Sequence, residues 1–184
     1  MMPGVFVSAV LSLSFVFCLS KTMRIGVVSD THNNLKNVAK IVELFNEAKV
    51  DRVIHTGDIT QAKTVDVLGN LNAPMWGVYG NNDQERDTLE AAVARHGFEF
   101  CEPPFTAVWA ERQLIVVHDP LEFEGHLGLH HDMALHGHTH LHRLESWGER
   151  TTIFNPGECA GHMSGYNAVG VVDLLTLQTE LLRF

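Results

Sequence analysis

The chain has 184 residues, 45% hydrophobic and 19% charged, a composition that can bury an ordinary globular core without disulfide or metal staples. Its formal net charge of −9 argues against the broad positive field of a nucleic-acid groove, so polymeric DNA or RNA is not an expected partner. The three widely spaced cysteines, Cys18, Cys101 and Cys159, form neither a disulfide framework nor a C-x-x-C knuckle, which fits a reducing compartment. Histidine is the unusual count: eight of the 12 fall between His118 and His142.

From Val5 to Leu19 the chain is apolar, broken only by Ser8, Ser12 and Ser14. No Lys or Arg precedes this run, it is short for a membrane span of ~20 residues, and Cys18-Leu19-Ser20 is a poor cleavage site. A signal peptide, a short anchor and translated sequence upstream of an initiator at Met23 are the three readings. The last is expected, because Met23-Arg24 leads directly into a buried-strand pattern. Residues 1–22 are then an apolar extension, and 23–184 a single domain in the cytoplasm. A genuine signal would instead make the protein membrane-anchored or exported.

Ile25-Gly-Val-Val28 reads as a short buried strand running into Ser29-Asp30-Thr31-His32, and the spacing of Leu35, Val38, Val42 and Phe45 predicts a helix to Lys49. The pattern repeats. Arg52 to His55 is a strand ending in Thr56-Gly57-Asp58, a helix covers about Thr64 to Leu68, and Met75 to Tyr79 is a strand ending in Gly80-Asn81-Asn82-Asp83. Glu85 to His96 is helical again. From Phe105 onward the pattern is of strands: Phe105–Trp109, Gln113–Val117, Ala134–Leu135, Leu141–Trp147, Thr151–Phe154, Ala168–Val172 and Thr179–Leu182. These are expected to form a second, largely antiparallel sheet packed on the first, and Gly157 to Gly165 a loop.

Each early strand ends in Asp, His or Asn, and in open α/β sheets the carboxyl ends of the strands share one rim. Asp30, His32, Asp58 and Asn81 can therefore converge, and the second half adds His118, His138 and His140. Seven oxygen and nitrogen donors exceed the need of one cation but suit two that share a carboxylate. The absence of soft ligands selects ions such as manganese, iron, nickel or zinc.

Taken in order, Asp30-Thr-His32, Gly57-Asp58, Gly80-Asn81-Asn-Asp83, His118 and Gly137-His-Thr-His140 resemble the calcineurin-like metallophosphoesterases. Small size and Asn155-Pro-Gly-Glu-Cys159 narrow the resemblance to the compact YfcE-like phosphodiesterases. It implies an α/β fold, a four-layer α/β/β/α sandwich with mixed sheets. It implies two divalent ions, manganese foremost with nickel, iron or zinc as alternatives. Asp30, His32, Asp58 and His140 would hold the first, and Asp58, Asn81, His118 and His138 the second. Hydroxide between the ions would attack a small phosphodiester, making Asp58, Asn81 and His118 the catalytic residues. The larger relatives carry a histidine where this chain has Asn82, so a general acid is missing and good leaving groups are favoured. Asp119-Pro120 after His118 is a second departure, where the family usually has glycine.

The residues also admit other readings. A scaffold on the same fold, like the retromer subunit, would be expected to lose ligands, and a phosphomonoesterase or nucleotidase would need extra cations such as Arg143 or Arg150. No specific protein partner is implied beyond self-association as a homo-oligomer. His55 and Asp83 are expected to brace the ligands from behind. His136 and His142 are expected behind the ligands or at the surface, and His126, His130 and His131 in an exposed loop. Cys159 has no basic neighbour in sequence to activate it.

Overall fold

The computed structural model describes residues 22–163 and 165–184. The reading of the apolar N-terminal run falls outside the described residues. Among those residues no helix is long and apolar enough to cross a membrane.

β1 (Arg24–Val28), α1 (Leu35–Ala48), β2 (Arg52–His55), α2 (Ala62–Leu68), β3 (Met75–Val78), α3 (Arg86–Arg95) and β4 (Glu99–Cys101) alternate through the first half. β5 (Phe105–Trp109), β6 (Arg112–Val116), a 3₁₀ turn (Pro120–Phe123), β7 (Met133–Leu135), β8 (Arg143–Trp147), β9 (Thr151–Asn155), β10 (Ala168–Asp173) and β11 (Thr179–Arg183) follow. They form a six-stranded sheet, β11-β10-β1-β2-β3-β4, and a five-stranded sheet, β5-β6-β7-β9-β8.

Alternation along the strands divides the core. Val28 of β1 and Val169 and Val171 of β10 face a layer with Val38, Ile41, Val42 and Phe45 of α1 and Leu68 of α2. Ile25 and Val27 of β1 and Val172 of β10 point the other way, against Leu114, Val116, Met133, Leu135 and Phe154 of the second sheet. The α1 residues sit at helical spacing, so one stripe of the helix does the packing. Asn34 opens α1, its side chain accepting from Asn37 N at 3.2 Å. Between the sheets a Cβ on Gly170 would collide with the Phe154 ring, so only glycine admits that ring against β10. The outer face of the second sheet, Ile115, Val117, Ala134 and Ile153, is covered by Phe123 of the 3₁₀ turn and by Leu127. The fold is the expected α/β sandwich of two mixed sheets, with a thin fourth layer.

Two details differ from the sequence reading. β10 and β11 join the first sheet, antiparallel to β1 and to each other. The second sheet is mixed, with β6–β7 and β7–β9 parallel. Alternation tells which residues share a face and not which strand lies alongside, so sheet membership was not readable. The short β4 was missed for lack of an apolar run. The carboxyl ends of parallel β1, β2 and β3 lie on one rim, and β6 and β7 bring their own carboxyl ends into the same site.

Candidate metal centre

The seven donors occupy the loops after β1, β2, β3, β6 and β7. Asp30 (φ 52°), His32 (39°), Asp58 (60°), His138 (65°) and His140 (55°) all have left-handed backbone. Such residues cost on the order of 1–3 kcal/mol each and persist only where surroundings fix them. Here they are fixed. Asp30 N donates to Gly57 O at 3.0 Å and His32 N to Asp58 O at 3.1 Å, tying the first two loops together. Asp83, buried, accepts from Asp58 N (3.0 Å), Thr60 N (2.6 Å) and Gly80 N (2.7 Å), which ties the second loop to the third. His55 accepts from Gly57 N through Nδ1 at 3.1 Å and meets Thr31 Oγ1 with Nε2 at 3.2 Å. Gly137 lets the β7 loop approach, because a Cβ there would strike Ser29, Asp30 and Thr56 side chains. With no Cβ in the way, His138 N donates to Asp30 Oδ2 at 3.0 Å.

The side chains gather into two cages. In the first, His32 Nε2 lies 3.3 Å from His140 Nε2, 3.4 Å from Asp58 Oδ2 and 3.8 Å from Asp30 Oδ1, and His140 Nε2 is 3.5 Å from Asp30 Oδ1. In the second, His118 Nε2 lies 3.4 Å from Asp58 Oδ1, 3.0 Å from Asn81 Oδ1 and 3.3 Å from His138 Nδ1. His138 Nδ1 is also 3.1 Å from Asn81 Oδ1. A tetrahedral ion with ligands at ~2.0–2.2 Å spaces them about 3.4 Å apart, so both cages have the dimensions of a divalent-ion site. Asp58 gives one oxygen to each. Asp30 Oδ1 is buried and without a hydrogen-bond partner, as expected of an oxygen reserved for a cation.

The electrostatics agree. Burial opposes ionisation of Asp58, yet hydrogen bonds from His118 and Asn82 hold its carboxyl well below the usual range. Burial works against the charge of His118 too, and the Asp58 carboxylate overrides it, raising that imidazole to about 9. Burial raises Asp30 despite a hydrogen bond from Ser29 and the nearby imidazoles. His118 Nδ1 lies 2.9 Å from Thr56 O, so Nδ1–H donates there and Nε2 faces the cage.

Residues 23–178 match the calcineurin-like phosphoesterase superfamily domain. The chain belongs to that superfamily. It is 35% identical over 156 residues to phosphodiesterase MJ0936 of Methanocaldococcus jannaschii, covering 82% of this chain and 93% of that protein. The solved structure of an archaeal phosphodiesterase superposes with a TM-score of 0.78 at 29% identity, over 88% of this chain and 100% of that one. YfcE, a phosphoesterase from E. coli, shares the fold at 21% identity and TM-score 0.63, over 87% and 98% of the two chains. The family is metal-dependent, and among the described residues Asp30, His32 and His140, and Asp30, Asp58 and His118, cluster closely enough to hold an ion.

Three neighbours of the donors were not recognised in the sequence. Asn82 donates to Asp58 twice, from its backbone to Oδ1 at 2.9 Å and from Nδ2 to Oδ2 at 2.7 Å. Asn82 thus holds the carboxylate common to both cages. Glu158, buried, accepts from His162 N and lies 3.2 Å from His140 Nδ1, which fixes that imidazole with Nε2 toward Asp30. Asp119 Oδ2 lies 3.6 Å from His138 Nε2 and steadies the more exposed ring. The sequence cue for the last two was a charged residue beside a motif. His162 completes the rim, its ring 5.3 Å from His140 and 5.8 Å from His32.

The remaining histidines divide by burial. His136 is buried, close to Gly137 O (3.0 Å), and His142 is exposed beside Asn155 O. His126 and His130 are exposed as expected, whereas His131 is buried, its ring accepting from Gly128 N at 3.0 Å. That histidine ends the loop against β7 and was misplaced because loop composition does not show which residue turns inward. Cys159 is buried, and burial pushes its thiol up to about 12, which leaves it unreactive. Beside the second cage a cavity of about 630 Å³ is lined by Asn81, His118 and His138 together with Tyr79, Arg86 and Glu102.

Proposed function

We propose that this protein is a dinuclear, metal-dependent phosphodiesterase acting on a small phosphodiester. One observation carries the reading: two donor cages of ionic dimensions that share the two oxygens of Asp58. Asp30, His32, Asp58 and His140 would hold one ion, and Asp58, Asn81, His118 and His138 the other. Manganese is the expected metal, with nickel, iron or zinc also suited to oxygen and imidazole donors. When bound, such a pair supplies Lewis-acid stabilisation of phosphoryl oxygens and lowers the pKa of water enough for hydrolysis at neutral pH.

The chain itself orients and selects. Thr56 O and Glu158 fix the tautomers of His118 and His140, and Asn82 holds Asp58 in its bridging pose. The charge of the cavity beside the second cage favours a diester over a monoester. Arg86 is the one Lys or Arg in its lining, beside Asp83, Glu102, Asp119 and Glu122, and it is engaged by Glu102 at 2.9 Å and by the Tyr79 ring at 3.7 Å. A dianionic monoester therefore finds no free guanidinium or ammonium there for its second charge, which a monoanionic diester does not need. The 35%-identical relative is named a phosphodiesterase, which supports the same choice.

The test uses protein stripped with chelator and reloaded with Mn²⁺, Ni²⁺, Zn²⁺ or Mg²⁺. Bis(p-nitrophenyl) phosphate should be hydrolysed in preference to p-nitrophenyl phosphate, and Asp58→Asn should lose about 100-fold or more of that activity. A reloaded wild type silent toward both substrates contradicts the reading.

A further inference from the structure

Beside the first cage another cavity, of about 440 Å³, is lined by His140, Leu141, Glu158, Met163, Tyr166 and Arg183 among others. Its size is that of a small-ligand pocket. Three observations give it a chemical character. Leu141 is 62% exposed and Tyr166 61%, with Met163 beside them, so apolar and aromatic surface is clustered against a proposed metal ligand. Single exposed apolar residues are ordinary; three in one cavity beside a reactive centre are not. Arg183 has no ion-pair partner among the described residues, although Arg24, Arg86, Arg95, Arg112, Arg143 and Arg150 each face a carboxylate. An arginine without an ion-pair partner, in a cavity whose one carboxylate, Glu158, is already engaged by His140 and His162 N, is suited to an anionic or carbonyl-bearing ligand. The cavity also adjoins the site, because His140 belongs to the first cage and lines this wall.

A phosphodiester has two arms, and one cavity adjoins each cage, the first through His140 and the second through Asn81, His118 and His138. The cavities differ: four carboxylates and Arg86 line the one beside Asn81, His118 and His138, whereas Leu141, Pro156, Met163 and Tyr166 with Arg183 and a single carboxylate, Glu158, line the one beside His140. We propose that the His140-side cavity receives a nucleobase-bearing arm, stacked on Tyr166 and hydrogen-bonded by Arg183, so that the substrate is a nucleoside-bearing phosphodiester. This rests on the diesterase reading above and adds the identity of one arm. Aromatic rings accept any base face, and an arginine fork donates equally to a base carbonyl or a phosphate oxygen.

The test compares thymidine 5′-(p-nitrophenyl phosphate) with methyl p-nitrophenyl phosphate, which share a leaving group and differ only in the arm retained. In the metal-loaded wild type the nucleoside substrate should have the higher kcat/KM, by about tenfold. Tyr166→Ala and Arg183→Ala should each reduce that ratio several-fold. A wild-type ratio near unity, or a ratio unmoved by both substitutions, overturns the proposal. A second readout does not need turnover: thymidine 5′-monophosphate added to metal-free protein should shift the NMR resonances of Tyr166 and Leu141, and more weakly in Arg183→Ala. Binding without hydrolysis of either diester rejects the diesterase reading and keeps the nucleoside site. Resonances that respond to protein concentration and not to the nucleotide assign the cavity to a second copy of the chain and overturn the proposal.

Discussion

Asn82 donates from both backbone and side chain to Asp58, so a substitution there acts first on the carboxylate common to both cages. Asn82→Ala is expected to weaken binding of both metals by about 10-fold or more, read by calorimetric titration of stripped protein. Loss at one site alone would contradict the bridging pose. Glu158→Gln should act locally, lowering affinity at the His140 cage by about 10-fold, because only that imidazole contacts it among the proposed ligands. His118 adds a dependence on pH. Its imidazole is raised to about 9, so below that pH a proton competes with metal for Nε2. Affinity at the second cage should therefore rise by about tenfold per unit from pH 7 to 9, and a flat profile in the same titration would remove His118 from the ligand set.

The loops were legible as sites because each short apolar strand stops at a polar residue able to bind a metal, and independent turns have no reason to produce that order. The supporting contacts were not. Asn82 read as the absence of a histidine, since nothing in Gly80-Asn-Asn-Asp83 distinguishes a side chain turned toward Asp58 from one in solvent. The same limit applied to the sheets: β10 was legible as a buried strand, but its place beside β1 depends on Gly170 accepting the Phe154 ring from the opposite sheet. Gly170→Ala is expected to cost about 1–3 kcal/mol through overpacking, measured by urea denaturation. An unchanged midpoint would show that the two sheets can part to admit a methyl group.

Across the molecule, buried neutral histidines contribute to the response to acid. Burial holds His55 at about 3 and His136 at about 4, so the folded chain resists protonation that the unfolded chain accepts near 6.5. The contribution of these two rings is therefore fully present above that value and is lost as pH drops toward 4, by ~1.4 kcal/mol per unit for each histidine. Denaturation midpoints of stripped protein should fall steadily from pH 6.5 to 4.5, and constant midpoints would mean that these rings take up protons in the folded state. The same architecture concentrates left-handed backbone at five of the seven proposed ligands, strain that a bound cation would repay with ligand bonds. The most direct test is therefore the metal content of reloaded, desalted protein by mass spectrometry, wild type beside Asp58→Asn. Two divalent ions per wild-type chain, reduced in the variant, are expected. One ion or none in the wild type, or two retained in the variant, would contradict a dinuclear centre bridged by Asp58.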